Sequence, residues 1–243
     1  LMERIHPKKW ATKSFQTLNN FKNILAIETS GLYCSVALRS GEEIKSNLTE
    51  NENEHGLVIL DFIEDLLSRS NLKKDELDLI AVSNGPGSFT GLRVGCSVAQ
   101  AIAFANDIPL IPLSSLAVLA HQAYSKFEKE KIFVVTNAHM KELYIGSYQF
   151  KKEEIKILKK ECLINQEDLS NYVDINSKET FYVGNGIRFL QNIEDKNTYE
   201  NFFSQASNMF DLIDLAIEKK SYVAAEEVSP NYLSGDCLLY TSP

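Results

Sequence analysis

The sequence lacks the patterns that would mark a membrane protein or a metal protein at once. No stretch of its 243 residues approaches the roughly 20 apolar residues that a membrane-spanning helix needs. Its four cysteines show no CxxC spacing, and its four histidines show no HxxH, HxxxH or HExxH spacing. No metal site built from them is therefore expected, and we predict a cytoplasmic protein with reduced cysteines and no membrane association.

Positive charge is scarce outside the N-terminus. The net charge is −8, but residues 1–22 hold five basic side chains and one acidic one, +4 in all, so the remainder carries −12. An acidic body repels nucleic-acid phosphates at long range, which argues against strong nucleic-acid binding by this chain alone. Residues 1–22 show no apolar periodicity, and we predict a disordered extension there.

The hydrophobic pattern from residue 23 onward predicts one order of elements twice. The first unit has strands starting at residues 24, 34 and 43, a helix over 54–70, a buried strand over 79–83 and a helix over about 90–106. A helix to about residue 126 follows Pro109 and Pro112. The second unit has strands starting at 131, 143 and 155, a short helix over 166–172, a strand over 181–183 and helical sequence near 207–220.

This duplicated strand-strand-strand-helix-strand-helix order predicts an α/β fold with two similar lobes facing a cleft. We place residues 23–118 and 213–233 in the first lobe and residues 119–212 in the second.

The most informative segment is the glycine-rich run at residues 85–95, GPGSFTGLRVG, between a buried strand and a helix. Glycines there permit close backbone approach, and the helix start offers free N–H groups to an anion. A tight turn with Ser88 or Thr90 as the helix cap is the alternative. The spacing departs from the dinucleotide-binding GxGxxG, the Walker A motif and the GxSxG nucleophile elbow, which argues against a dehydrogenase, a P-loop NTPase and an α/β-hydrolase.

This run resembles the signature of the TsaB family, formerly classed with glycoprotease-like proteins. The first two strands, the Glu54-His55 pair at the start of the first helix and the closing stretch Val228–Leu233 resemble the family as well. The sequence departs from the family pattern in four places. Glu28 replaces an aspartate, Asn137 and His139 stand in the family's Asp-Ala-Arg-Met stretch, Ser234 replaces an arginine, and the tail after it, residues 235–243, has no counterpart.

The resemblance implies a two-lobed fold of the actin, Hsp70 and sugar-kinase type. It also implies a role in forming N6-threonylcarbamoyladenosine in tRNAs that read codons beginning with A. The implied role is that of a non-catalytic subunit that dimerises with and activates the catalytic subunit TsaD. An ATPase subunit, TsaE, joins this tRNA threonylcarbamoyltransferase complex, and tRNA is bound only through the complex. No intrinsic cofactor is implied. ATP or ADP at the partner interface and a homodimer of the isolated chain are left open, as is any role of Asn137 and His139.

A weaker candidate is an anion or nucleotide site at the end of the first strand and in the glycine-rich loop. Its residues are Glu28, Thr29, Ser30, Gly85, Gly87, Ser88, Thr90 and Gly91. A carboxylate such as Glu28 is able to orient Mg²⁺ and phosphates, so the alternative function is a small-molecule kinase or ATPase of the same fold. A peptidase is a third hypothesis, but no His/Asp arrangement accompanies Ser88. The catalytic relative of the family carries paired histidines on its first helix, whereas Ile59 stands four residues after His55.

The first two long helices supply the candidate partner interface. A stripe of Leu57, Leu60, Ile63 and Leu67 predicts the core-facing side of the first helix. Mixed lines of polar and aromatic residues lie beside the apolar positions, and the resemblance implies that the subunits meet through these helices in a four-helix bundle. The candidate interface residues are Val58, Phe62, Arg69, Arg93, Ser97, Gln100 and Phe104. The alternative is that both phenylalanine rings pack inside the lobe.

Overall fold

The computed structural model describes residues 21–151, 154–174, 177–190 and 197–233. The tail over 234–243 and residues 1–20 of the predicted extension lie outside this range. The last two residues of that extension belong to the folded body. The ring of Phe21 meets Tyr222 edge-on at 5.9 Å, and the backbone N–H of Lys22 donates to Asp78 at 2.8 Å.

The first lobe is built on a five-stranded sheet in the order β3-β2-β1-β4-β5. Its strands are β1 (Asn23–Glu28), β2 (Ser35–Ser40), β3 (Glu43–Leu48), β4 (Leu79–Gly85) and β5 (Leu110–Ser114). The first three strands are antiparallel, and β4 and β5 run parallel to β1. The central strands β1 and β4 are buried on both faces, which explains their almost continuous apolar sequence.

The second lobe repeats this sheet plan. Its strands are β6 (Lys131–Asn137), β7 (Glu142–Lys151), β8 (Glu154–Asn165), β9 (Thr180–Val183) and β10 (Thr198–Tyr199). Their order, β10-β9-β6-β7-β8, is the order of the first sheet counted from the opposite edge. Again three strands form an antiparallel meander, and β9 lies parallel to the first of them. The predicted two-lobed α/β fold is therefore confirmed.

Helices cover both faces of the first sheet. The helices are α1 (His55–Arg69), α2 (Phe89–Asn106), α3 (Ser115–Phe127) and α4 (Phe210–Glu218). Alternate residues of β1 point to opposite faces, so Leu25 and Ile27 pack in the core beneath α1 and α2, whereas Ile24 and Ala26 pack in the core that includes α4. Among the described residues, no helix has the length and apolar character to cross a membrane.

The second lobe repeats the helices less faithfully than the strands. Its short helix is a 3-10 helix over Gln166–Asn171. The helix predicted near 207–220 is α4, whose buried residues belong to the core of the first sheet. The boundary at 118/119 falls inside α3, where Val118 packs in the core of the first sheet and Leu119 in that of the second. The boundary at 212/213 falls inside α4, where Leu212 and Ile213 both pack in the core of the first sheet.

Two local features differ from the expectations. Residues 110–114, for which no strand was predicted, form β5, in which Pro112 pairs with Val82. Proline is tolerated there because β5 is an edge strand of its sheet. Cys34 and Cys96 are buried free thiols, but Cys162 is disulfide-bonded, which its sequence spacing did not indicate.

Candidate functional site

The glycine-rich run brings the start of α2 against the end of β1. The backbone N–H of Ser88 donates to the carbonyl of Ser30 at 2.7 Å, and the Thr29 hydroxyl donates to the carbonyl of Gly91 at 2.8 Å. A Cβ atom at Gly87 would collide with the Ser30 carbonyl, and one at Gly91 would collide with the Thr29 carbonyl. Glycine at these two positions is required because two backbone segments touch there.

The hydroxyl of Ser88 serves this local structure. Ser88 is the N-cap of α2, and its Oγ accepts from the backbone N–H of Gly91 at 3.2 Å. Of the two residues predicted as alternative helix caps, Ser88 is therefore the cap. Thr90 lies exposed in the first turn of the helix. With this role, Ser88 satisfies one of the free N–H groups of the helix start.

Glu28 lies behind the loop in the interior of the first lobe. It is 1% exposed, and its Oε1 accepts from both the backbone N–H and the hydroxyl of Ser30, at 2.7 and 2.5 Å. Its Oε2 has no hydrogen-bond partner within the described residues. Burial raises the pKa of the Glu28 carboxyl above its ordinary value, because a buried carboxylate loses its hydration.

A cleft of about 180 Å³ lies between the lobes. Of the predicted anion site, Ser30, Gly87 and Ser88 line it, whereas Glu28, Thr29, Gly85, Thr90 and Gly91 do not. The other lobe contributes Asn137 and His139, and the backbone N–H of Asn137 donates to Asn185 at 2.8 Å.

The chemistry of the cleft is neutral. Hydroxyl, amide, aliphatic and aromatic groups make up the lining together with one imidazole, and no Lys, Arg, Asp or Glu is found among the described residues that line it. The volume lies below the roughly 300 Å³ at which ordinary small-molecule sites begin. The described lining therefore offers hydrogen bonds to a small uncharged group, but no Lys or Arg side chain for a phosphate.

His55 is a structural residue at the start of α1. Its side chain is buried, and its Nε2 lies 3.1 Å from the carbonyl oxygen of Gly31. Burial lowers the pKa of the imidazole, so the neutral form is favoured. Ile59, one turn later, lies in the hydrophobic core. Within the described part of the chain, no group of three or more His, Cys, Asp or Glu side chains is placed to hold a metal.

The predicted interface residues divide into two groups. Arg69, Arg93, Ser97 and Phe104 are exposed, with the Phe104 side chain at 73%. Val58 and Phe62 are half-buried against the core of the first lobe. Gln100 is also half-buried, and its Nε2 donates to the carbonyls of Ala225 and Val228 at 3.1 and 2.9 Å. Val58, Phe62 and Gln100 therefore make contacts within the first lobe.

The core-facing stripe predicted for α1 was partly wrong. Ile63 and Leu67 are buried as expected, but Leu57 is 78% and Leu60 is 55% exposed. Ile59 and Leu66 occupy the core positions in their place. A helix with leucines on two sides fits more than one apolar stripe, so spacing alone did not fix the buried side.

The outward side of α1 and α2 carries exposed apolar side chains among polar and acidic ones. We call the set Leu57, Leu60, Ala101 and Phe104 the α1/α2 face. The two helices pack side by side, since a Cβ at Gly56 of α1 would stand 4.0 Å from a methyl carbon of Val94 of α2. Exposed large apolar side chains grouped on neighbouring elements are typical of protein interaction sites.

A second cluster lies at the N-terminal end of α2. The Arg93 guanidinium carbon stands 3.7 Å from the centre of the Phe89 ring, and Arg93 Nε donates to the Tyr232 hydroxyl at 3.0 Å. The rings of Phe89 and Tyr232 are 5.3 Å apart. Of these residues, the sequence singled out only Arg93. The signal for Tyr232 was its place in the closing motif, which did not indicate what it contacts.

Two sheets of matching strand order on either side of a cleft define the two-lobed fold of actin, Hsp70 and the sugar kinases. The family model of TsaD, described as tRNA N6-adenosine threonylcarbamoyltransferase, matches residues 46–233. The TsaB protein of Haemophilus influenzae, a tRNA threonylcarbamoyladenosine biosynthesis protein, is 31% identical over 224 residues, which cover 88% of this chain and 94% of that protein.

A solved structure from Pseudomonas aeruginosa, described as an uncharacterized protein with similarity to peptidase YeaZ, superposes with a TM-score of 0.81. It is 29% identical, with 88% of this chain and 100% of that chain covered. The tRNA N6-adenosine threonylcarbamoyltransferase of Pediococcus pentosaceus is 34% identical over 157 residues, which cover 56% of this chain and 44% of that enzyme. The chain belongs to the TsaB family of tRNA threonylcarbamoyladenosine biosynthesis proteins.

Proposed function

We propose that the chain is a non-catalytic subunit of the complex that forms N6-threonylcarbamoyladenosine in tRNA. Membership of the TsaB family assigns it to this biosynthesis. In the proposal, it dimerises with a TsaD-like catalytic subunit and holds that subunit in its active state. A TsaE-like ATPase joins the complex. The complex as a whole binds tRNA, since the net charge of −8 on this chain disfavours strong binding by the chain alone.

The observation that carries the proposal is the α1/α2 face. Leu57, Leu60 and Phe104 are 78%, 55% and 73% exposed on two adjacent helices. Burying a large apolar side chain of this kind contributes about 1.5–3 kcal/mol. Three such side chains, exposed on two adjacent helices, offer a binding partner a hydrophobic gain, part of which the entropy of association offsets.

The placement of the candidate catalytic groups supports a non-catalytic role. The Glu28 carboxyl is enclosed in the lobe, its Oε1 is bound to Ser30, and it is not among the described residues that line the cleft. The Ser88 hydroxyl is engaged as a helix cap. The residues of the cleft carry hydroxyls and amides where a kinase or ATPase needs charges for phosphates and Mg²⁺.

A kinase or ATPase of the same fold is the alternative, supported by the position of the cleft between the lobes and by Ser30, Gly87 and Ser88 on its wall. ATP hydrolysis by the purified chain separates the two functions. Turnover without a partner supports the alternative. Turnover that appears only after a TsaD-like subunit is added supports the proposal.

The direct test is binding to a TsaD-like subunit, measured by calorimetry with the wild-type chain and with Phe104→Glu. A charge in place of the exposed ring should weaken binding by about thirtyfold or more, as expected for the loss of an interface anchor worth ~2 kcal/mol. Ile157→Glu is the matched control, because Ile157 is 59% exposed on β8 of the other lobe. Equal affinities for both variants, with their folds verified by circular dichroism, would refute the role of the α1/α2 face.

A further inference from the structure

The cluster of Phe89, Arg93 and Tyr232 is an unusual surface feature of this acidic chain. Phe89 is 52% and Tyr232 46% exposed, although both are large aromatic residues. Arg93 lies exposed between them. Its guanidinium is held by the Phe89 ring on one side and by the Tyr232 hydroxyl at Nε.

The guanidinium of Arg93 keeps most of its hydrogen-bonding capacity. Arginine has five N–H donors, and the Tyr232 hydroxyl takes the one on Nε. Arg39 is paired with Asp214 at 2.6 Å and Arg69 with Asp65 at 3.2 Å. Arg93, by contrast, has no carboxylate partner within the described residues. Its two terminal nitrogens therefore form a fixed, unneutralised fork, which is the geometry that binds a carboxylate in a bidentate manner.

The cluster continues the α1/α2 face along the same side of α2. Arg93, Ser97, Ala101 and Phe104 are all exposed and recur every third or fourth residue, so they share one side of the helix. Arg93 and Phe104 are eleven residues apart in the sequence, which is roughly 16 Å along a helix at about 1.5 Å per residue. The small residues Ser97 and Ala101 between them leave room for a partner helix to approach closely.

We propose that Phe89, Arg93 and Tyr232 form a carboxylate-binding anchor on the partner interface. An aspartate or glutamate side chain of the catalytic partner subunit binds the terminal nitrogens of Arg93. Phe89 and Tyr232 are positioning residues that hold the guanidinium plane and shield the ion pair from water. This inference rests on the proposed function, since it names the partner chemistry at one end of the same interface.

A single arginine on an acidic chain favours a protein carboxylate over a nucleic-acid phosphate. The outward side of α1 carries Asp61, Glu64 and Asp65, all exposed, and the whole chain has a net charge of −8. Phosphate binding by nucleic-acid sites relies on several basic side chains acting together, whereas a carboxylate needs only one guanidinium. A single arginine beside two rings also matches the composition of protein interface hot spots.

The test measures affinity for the TsaD-like subunit with the full chain. Arg93→Glu should weaken binding by about thirtyfold or more, because it removes a desolvated charge pair and adds a repulsion. The affinity of Arg93→Lys should lie between those of the wild-type chain and Arg93→Glu, since lysine keeps the charge but loses the planar fork. Arg188→Glu is the matched control, because Arg188 is also exposed and stacks on a ring, Phe189, at 5.0 Å in the second lobe.

Tyr232→Phe tests the positioning role. It keeps the ring that packs on Phe89 and removes only the hydroxyl that holds Arg93 Nε. Its effect on affinity should be several-fold in the wild-type background and absent in an Arg93→Met background. Additive effects of the two changes would overturn the positioning role, since additivity is the mark of independent residues.

The outcomes separate the inference from the proposed function. If the wild-type chain does not bind the TsaD-like subunit, the proposed function fails. If it binds and Phe104→Glu weakens binding while Arg93→Glu equals the Arg188→Glu control, only the anchor is refuted. If Arg93→Glu leaves partner affinity unchanged but lowers the affinity of the isolated chain for tRNA, the site binds RNA and the anchor is likewise refuted.

Discussion

The packing of α2 on β1 predicts opposite effects for two alanine substitutions. Gly91→Ala places a methyl group against the Thr29 carbonyl, whereas Gly56→Ala in α1 meets only a methyl carbon of Val94 at 4.0 Å, an ordinary contact. Both positions are helical, so alanine improves helix propensity at each by up to about 1 kcal/mol. The difference between the two variants therefore isolates the effect of the collision.

The net effect at Gly91 follows from three magnitudes. Forcing a methyl group into a packed site costs about 1–3 kcal/mol, and displacing the Thr29–Gly91 hydrogen bond costs about 1 kcal/mol more. The gain in helix propensity offsets about 1 kcal/mol of this sum. We expect Gly91→Ala to destabilise the chain by about 1–3 kcal/mol and Gly56→Ala to be neutral or stabilising by a few tenths up to ~1 kcal/mol.

Urea unfolding followed by circular dichroism measures both changes against the wild-type chain. Gly31→Ala is a second control from the same region, since a Cβ at Gly31 has nothing within 4 Å. Stabilisation of Gly91→Ala to the same extent as Gly56→Ala would refute the reasoning, because it would mean that α2 does not need a glycine where it touches Thr29.

Three further predictions follow from the site and the core. Burial raises the pKa of Glu28 above its ordinary value of 4.5, so the folded state holds this proton more tightly than the unfolded state. That contribution to stability is complete below pH ~4.5 and is lost as the pH rises through the raised pKa. The stability of Glu28→Gln relative to the wild-type chain should consequently rise as the pH increases above ~4.5 in urea unfolding, and a pH-independent difference would contradict it. Leu57→Ala should change the free energy of unfolding by less than about 0.5 kcal/mol, whereas Ile63→Ala should cost about 2–5 kcal/mol, because only Ile63 is buried; equal losses would mean that Leu57 packs in the core. Purified chain prepared without chelator should contain no stoichiometric zinc or iron, because His55 is engaged with Gly31, and one bound equivalent by elemental analysis would disprove this.

The sequence predicted the fold where the physical signal was periodic and local. The strands from β1 to β4 and the helices α1 and α2 follow from apolar runs and from the glycine-rich junction. The placement of α4 on the first sheet did not follow. The apolar side of α4, with Leu212 and Ile213, is able to pack on either sheet. Its packing on the first sheet depends on the path of the chain in the tertiary fold, which the local sequence does not show.

The candidate site was predictable in part. Ser88 as a helix cap follows from its position before α2, since serine is favoured at N-caps. The burial of Glu28 did not follow, because a glutamate at a strand end reads equally well as a ligand or as an interior group. Tyr232 and Phe89 were not identified because they meet Arg93 only through the tertiary fold, across 139 residues of sequence in the case of Tyr232. A contact of that kind leaves no periodic signal.

The central claim is that the chain acts by binding and activating a TsaD-like subunit through the α1/α2 face. Its most direct test is formation of N6-threonylcarbamoyladenosine in tRNA by a TsaD-like and a TsaE-like subunit, supplied with all substrates and supplemented with this chain. The account predicts activity with the wild-type chain and with Ile157→Glu, and a loss with Phe104→Glu that a higher concentration of the variant restores. Full activity without the chain, or undiminished activity with Phe104→Glu at limiting concentration, would contradict it.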